Sequence, residues 1–427
     1  MAWLLAAAGA ALGAHAAHAQ PSTPPRAPTL QVLHWWTSDS ERRAAEVLAM
    51  RLADEGIVWQ DAAIPGGAGL GAGKVLRGRV LAGDAPEVTQ IIGVSIREWA
   101  ALGLLLELDT VAEPGRWASV LFPTVDELIR YRGHVVAAPL GVHRINTLFY
   151  HPRLLAQHRL APPVSWADWV QVAQALKAAG VQPLAQSSEP WQVAALAEAL
   201  VLGVGGPALH RELFVRQSPQ AAADPRLAEA LLRLRTMKAW MGPAPVAERP
   251  WTEALQQLVR GEAAMLVMGD WAKGELLARG APGPDIGCTA VPGTGRYHLY
   301  SVDTLTMFTA GYAHAAAQEK LARLVVTPAL QAEYNAAKGS VPVRRDADPA
   351  QMDRCARASW TLFGQDAAMR APSLVHRMAA GEASKDAIIA ELHRFFVDDT
   401  ISPAEVQRRL ATMFRALQPG RGDPARD

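Results

Sequence analysis

From residue 30 to residue 100 the apolar residues change their spacing again and again, and this restricts the fold more than any other feature of the chain. Residues 30–35 form a short, mostly apolar run that reads as a half-buried strand. Ser38 and Glu41 stand in the S-x-x-E spacing of a capping box, where each side chain satisfies an exposed N–H at a helix start. Ala44, Ala45, Val47, Leu48 and Leu52 follow at helical spacing, and Gly56 supplies a C-terminal stop. Residues 57–64 read as a second strand, 74–82 as a helix ending at Gly83, and 87–92 as a third strand. Ser95, with Glu98 three residues on, opens another helix with capping-box spacing. This alternation predicts an α/β chain whose mainly parallel sheet is covered by helices. Ligands of such sheets sit at strand-to-helix turns. The first such turn carries adjacent indoles, Trp35 and Trp36, which suit a flat apolar ligand face such as that of a sugar ring.

A chain of 427 residues is long enough for two domains with full cores. Its 42 basic and 41 acidic residues leave a net charge of +1, so no bulk field points to nucleic acid or an acidic membrane. Half the residues are hydrophobic, which excludes wholesale disorder. Residues 1–19 read as an export signal: an Ala/Leu/Gly run ends in the A-x-A site Ala17-His18-Ala19, although the usual basic start is missing. The run is too short to span a membrane, and no later stretch reads as a spanning helix. The Pro/Ser-rich residues 20–28 read as a mobile leader. The mature protein is thus expected to be exported and soluble. An oxidising compartment permits Cys288 and Cys355 to pair, and two buried free thiols are the other reading. No metal-ligand spacing surrounds them.

The glycine-rich residues 66–74 lie between a strand and a helix, as a phosphate-cradling loop would. Val75 follows Lys74 where a P-loop needs Ser or Thr, and Pro65 interrupts the tight turn of a dinucleotide fingerprint. Glycines that let the backbone pass close to a ligand are the better reading. No G-x-S-x-G elbow, H-E-x-x-H or Cys/His cluster is present, so no catalytic constellation, metal or cofactor is expected.

Further along, "GHVVAAP", "LFY" and "PPVSWAD" are similar to the general signature of the family 1 extracellular solute-binding proteins of ABC sugar importers, which include maltose-binding protein. The ordered set "LHWWTSDSE", "VLAGDAPEVTQI", "REWAALGLL", "HRIN", "EPWQ", "LGVGGP", "MGDWAKGE", "VPGTG", "SVDTLTMF" and "KGSVPVR" resembles the glucose/mannose-binding subgroup more closely. The resemblance implies a two-lobe, maltose-binding-protein-like periplasmic-binding-protein fold with a ligand cleft between the lobes. It implies a first lobe of residues 29–140 plus 296–342 and a second of 141–295 plus 343–418, with residues 419–427 a disordered tail. Hinge crossings would fall near residues 139–146, 291–301 and 339–345. The implied protein is a periplasmic, non-enzymatic monomer that closes on a monosaccharide by hinge bending. It would deliver the sugar to membrane permease subunits served by a cytoplasmic ATPase. A sugar-sensing binding protein, a periplasmic sugar hydrolase and a nucleotide-dependent enzyme are the alternatives.

Site residues follow from the same resemblance. Trp35 and Trp36 match paired indoles that stack on the pyranose, and Glu41 matches an acceptor for sugar hydroxyls, in competition with its capping role. Gln90 matches a polar contact, and Trp251 and Trp271 match aromatic walls from the second lobe. Asp303 lies in an otherwise apolar strand, where a carboxylate is costly unless it is paired or faces a ligand. Lys338 and His376 match hydrogen-bond donors. Three places depart from the subgroup: Ile92 where lysine or histidine is usual, Thr147 where tryptophan is usual, and residues 186–190 where a histidine/glycine-rich loop is typical. Losing a donor at Ile92 is expected to weaken glucose or favour a sugar lacking that hydroxyl. Ser402, Pro403 and Glu405 read as the cap of a last helix running to about Leu417.

Overall fold

The structure, a computed structural model, describes residues 27–417 except 67, 68, 70, 243–247, 281–285, 310 and 311. The export signal, most of the leader and the tail read from the sequence lie outside the described residues.

Twelve strands are described. The first three are β1 (Thr29–His34), β2 (Val58–Ala63) and β3 (Val88–Gln90), followed by β4 (Arg130–Tyr131), β5 (His134–Val135), β6 (Ala138–Arg144) and β7 (Thr147–Tyr150). The rest are β8 (Gln182–Leu184), β9 (Ala263–Met268), β10 (Gly287–Ala290), β11 (His298–Met307) and β12 (Arg370–Pro372). The alternating start of the chain builds the parallel part of one sheet, with β1 between β2 and β3. That sheet is mixed: three of its five pairings are parallel, β1 with β2 and β3 and β11 with β12, while β11 runs antiparallel to both β3 and β6. A second sheet has the order β10-β7-β9-β8, with only β8 and β9 parallel.

Each sheet anchors its own core. Leu30, Val32, Ile96, Val302 and Tyr334 belong to one, and Phe149, Trp169, Leu200, Leu266 and Phe395 to the other. The chain crosses between them at residues 145–146, from β6 into β7, and at 291–297, from β10 into β11. The expected third crossing at 339–345 is not there: Val341 and Val343 stay in the first core, as do Met352, Ala356 and Phe363. The return comes around β12, whose Ala371 packs with Leu374 and Val375 in the second core. Residues 343–363 therefore pack with the first lobe, not the second. The run Pro190–Val215 is long and apolar enough to cross a membrane by length and composition alone, but non-helical Gly206 (φ +66°) breaks the helix within it. Its apolar side chains are spent on the second core, where Val193, Leu196 and Leu200 are buried.

Local signals fared unevenly. Ser38 and Glu41 form the capping box of helix Asp39–Ala53, and Ser165 and Asp168 form one for helix Trp166–Ala178. Ser402 caps the N–H of Glu405 at the start of helix Pro403–Leu417. Ser95 does not cap; it is the first residue of helix Ser95–Ala101, preceded by Val94 with no side-chain cap. Cys288 and Cys355 form a disulfide. It joins edge strand β10 of the second sheet to helix Arg354–Phe363, whose Ala356 and Phe363 pack in the first core.

Candidate functional site

The ends of β1 and β6, the middle of β11 and the starts of two second-lobe helices converge on a cavity of about 330 Å³ between the cores. Trp35 lines it, while Trp36 does not. Successive side chains leaving an extended segment point to opposite faces. Trp36 is therefore fully buried in the first core, stacked at 4.8 Å on His34 and 6.1 Å from Tyr334. Only one of the expected indole pair faces the cavity. The other face of Trp35 lies against Gly69, where a Cβ would come within 3.0 Å of the ring, and Gly69 has φ +71°. The glycine-rich stretch thus makes room for an indole, and its Gly66 lines the cavity as well.

Glu41 is shared three ways. Its Oε2 accepts the backbone N–H groups of Thr37 (3.0 Å) and Ser38 (3.1 Å), and its Oε1 accepts from Lys338 Nζ at 2.9 Å. Burial works against its charge, but Lys338 and the cap hydrogen bonds hold the carboxyl below its usual range. The ammonium of Lys338 also lies 5.9 Å from the Trp36 ring, so Trp36 supports the donor rather than the ligand.

Asp303 and His376 line the cavity, as do Ile92, Trp251 and Trp271. Gln90 is 2 % exposed and does not line it. Its Nε2 donates to Asp303 Oδ1 at 3.2 Å, so it aims the aspartate from behind. His376 is buried, with Nδ1 3.0 Å from Ser373 Oγ, and burial followed by the nearby His143 charge pushes its pKa down to about 3. It is a neutral ring whose centroid lies 5.2 Å from that of Trp271.

Several lining residues escaped the sequence reading. His143 on β6 sits between two carboxylates, with Nδ1 2.6 Å from Asp270 Oδ1 and Nε2 3.3 Å from Asp303 Oδ2. Burial opposes its charge, yet Asp270 and Asp303 together lift its pKa to about 9, so it is an imidazolium at neutral pH. Trp191 makes a further aromatic wall, its Nε1 donating to Glu189 Oε2 at 3.0 Å. Glu189 belongs to the atypical loop, and Thr252 and Ser301 also line the cavity. His143 had a signal, since it opens the "HRIN" segment placed at a crossing. Trp191 likewise stood in a quoted segment. Thr147 lies outside the cavity.

The lobes meet on either side. Ser40 donates its backbone N–H to Glu275 Oε2 (3.0 Å), Arg279 pairs with Asp39 (3.3 Å) and Arg77 with Glu382 (2.6 Å). The whole is a space walled by indoles and studded with compensated charges: carboxylates to accept hydroxyl hydrogens, and a lysine and a histidine beside them.

A family model described as bacterial extracellular solute-binding protein matches residues 52–336. The chain is 33% identical over 395 residues to a probable sugar-binding periplasmic protein of Brucella suis biovar 1 (strain 1330), covering 90% of this chain and 91% of that one. It is 33% identical over 398 residues to a protein of the same description from Rhizobium meliloti (strain 1021), covering 91% and 94%. Among solved structures it is similar to AcbH, a bacterial solute receptor with an exclusive preference for β-D-galactopyranose, with TM-score 0.78, 17% identity and coverage of 91% and 99%. It is also similar to maltose-bound T. maritima MalE3, with TM-score 0.75, 17% identity and coverage of 92% and 100%. At such identity these two structures bear on the fold alone.

Proposed function

The chain belongs to the bacterial extracellular solute-binding proteins, and from that premise we propose that it is the periplasmic component of an ABC importer that captures a glucose- or mannose-like monosaccharide. The observation that carries the reading is the cavity itself, where Trp35, Trp191, Trp251 and Trp271 surround Glu41, Asp303, Lys338 and His376. Indoles match the C–H faces of a pyranose, and charged groups bind its hydroxyls more strongly than neutral ones, at about 1.5–3 kcal/mol per hydrogen bond. At about 330 Å³ the cavity is near the small end of ligand pockets, about 300–1,000 Å³, which favours one ring over a chain of them. The ligand leaves unchanged, trapped by hinge closure and handed to the permease.

Ile92 is almost fully buried against the cavity and offers no donor. We assign it the choice among monosaccharides. Calorimetric titration with glucose, mannose, galactose, xylose and maltose tests both levels. Binding of at least one monosaccharide, more tightly than maltose, is expected. Ile92→Lys should raise glucose affinity about tenfold or more, the worth of one charged hydrogen bond. Maltose bound in preference to every single sugar overturns the monosaccharide reading, and no heat from any sugar overturns the transport reading.

A further inference from the structure

Behind the crossings lies a second cavity of about 270 Å³, lined by Arg144, Thr147, Asp270, Lys273 and Arg354 among others. One layer of residues separates it from the cleft. On β6, His143 lines the cleft and Arg144 the rear chamber, as successive strand residues must. Trp271 and Asp270 divide the same way, and so do Lys338 and Gly339.

The chamber is oversupplied with positive charge. The Arg144 guanidinium is held by neutral oxygens only, through long contacts from Nε to Asn146 Oδ1 (3.4 Å) and from Nη2 to the Tyr297 carbonyl (3.3 Å). Burial lowers its pKa to about 10, which leaves it a cation at neutral pH. The nearby Asp270 charge favours that cation through its field but forms no ion pair with the guanidinium. Asp270 Oδ1 accepts from His143, and its Oδ2 accepts the backbone N–H of Arg144 at 2.9 Å. Among the described residues no carboxylate lies within 4.0 Å of either the Arg144 or the Arg354 guanidinium, and Arg354 is exposed. Lys273 adds little, because Asp353 Oδ2 pairs with it at 2.6 Å.

The space is also built rather than incidental. Thr147 lines the chamber and turns its hydroxyl onto the Arg144 carbonyl at 3.2 Å. The Cys288–Cys355 disulfide belongs to the chamber wall and ties its two sides together. A planar guanidinium fork recognises carboxylate and phosphate oxygens better than any other side chain. We propose that this chamber is a second binding site, for a small oxyanion whose carboxylate or phosphate group is held between Arg144 and Arg354. The ligand is distinct from the cleft ligand, and the site stands or falls without reference to it.

Calorimetric titration of the purified protein with inorganic phosphate and, separately, with acetate tests the site, each against sodium chloride at matched ionic strength. A saturable single-site heat is expected from at least one of them. Response to phosphate alone assigns a phosphate group, and response to acetate alone a carboxylate. Arg354→Gln should weaken the binding about tenfold or more. Thr147→Trp should abolish it while keeping the thermal transition of the parent. Heats no different from chloride for both anions overturn the proposal, and so does a titration unchanged in Arg354→Gln. If Thr147→Trp fails to fold, Arg354→Gln decides alone, because an exposed side chain carries little of the fold.

Discussion

Consecutive indoles give opposite expectations under the same substitution. Trp36 is packed on all sides, so Trp36→Ala should cost about 3–5 kcal/mol of stability. Trp35→Ala should leave the melting temperature within a few degrees and weaken sugar binding instead. Calorimetry and thermal melts on both variants separate the two. Two of the buried histidines, both lining the cleft, make an opposed pair. His143, raised from 6.5 to about 9, contributes stability that is fully present below pH 6.5 and is lost as pH rises through about 9. His376, lowered from 6.5 to about 3, contributes stability present above pH 6.5 and lost as pH falls toward 3. Together they place the maximum near pH 6.5. Thermal melts from pH 4 to pH 9 should show it, with His143→Gln flattening the alkaline limb and His376→Gln reducing the acid one, to which buried His34 and His298 also contribute. A melting profile indifferent to both substitutions would contradict these assignments.

At the scale of elements, helix Trp271–Ala278 lies hard against the end of helix Pro328–Lys338. A Cβ on Gly274 would fall 2.6 Å from the Lys338 carbonyl oxygen, and the neighbouring Gly339 has φ +91°. Gly274→Ala should therefore push Lys338 away from Glu41 and weaken sugar binding at least tenfold, measurable by titration, while the first sheet stays intact. Ease of reading from sequence followed the range of the interaction. Capping boxes at Ser38 and Ser165 need only local spacing, and both form. Ser95 has the same spacing and fails, because helix Ser95–Ala101 begins on the serine itself, one residue too early. The parallel pairing of β1 with β2 and β3 follows from alternation, whereas the antiparallel entry of β11 depends on a strand more than two hundred residues away. Trp35 and Trp36 were legible as a pair but not as one wall and one core residue, since that division depends on where the strand ends. His143 was invisible as an imidazolium because its charge is set by Asp270 and Asp303, which come from distant segments.

At the scale of the whole molecule, the two lobes share three kinds of link: crossing strands, ion pairs beside the cleft and one covalent bridge. The Cys288–Cys355 bond closes a loop across 67 residues and holds the lobes together on the chamber side, with Cα atoms 6.3 Å apart. Replacing both cysteines by serine should cost about 2–4 kcal/mol of stability. It should also widen the opening motion, so that the change in radius of gyration on ligand binding grows, as small-angle scattering can read. An unchanged scattering difference would show that the crossings alone set the opening. The thin partition between cleft and chamber carries a consequence for how this molecule can diverge. Neighbours such as His143 and Arg144 occupy one strand but serve different rooms, so an insertion or deletion of a single residue there would exchange their duties. Drift at this partition is therefore restricted to substitution, and a lineage changing its taste in one room inherits the altered plaster in the other.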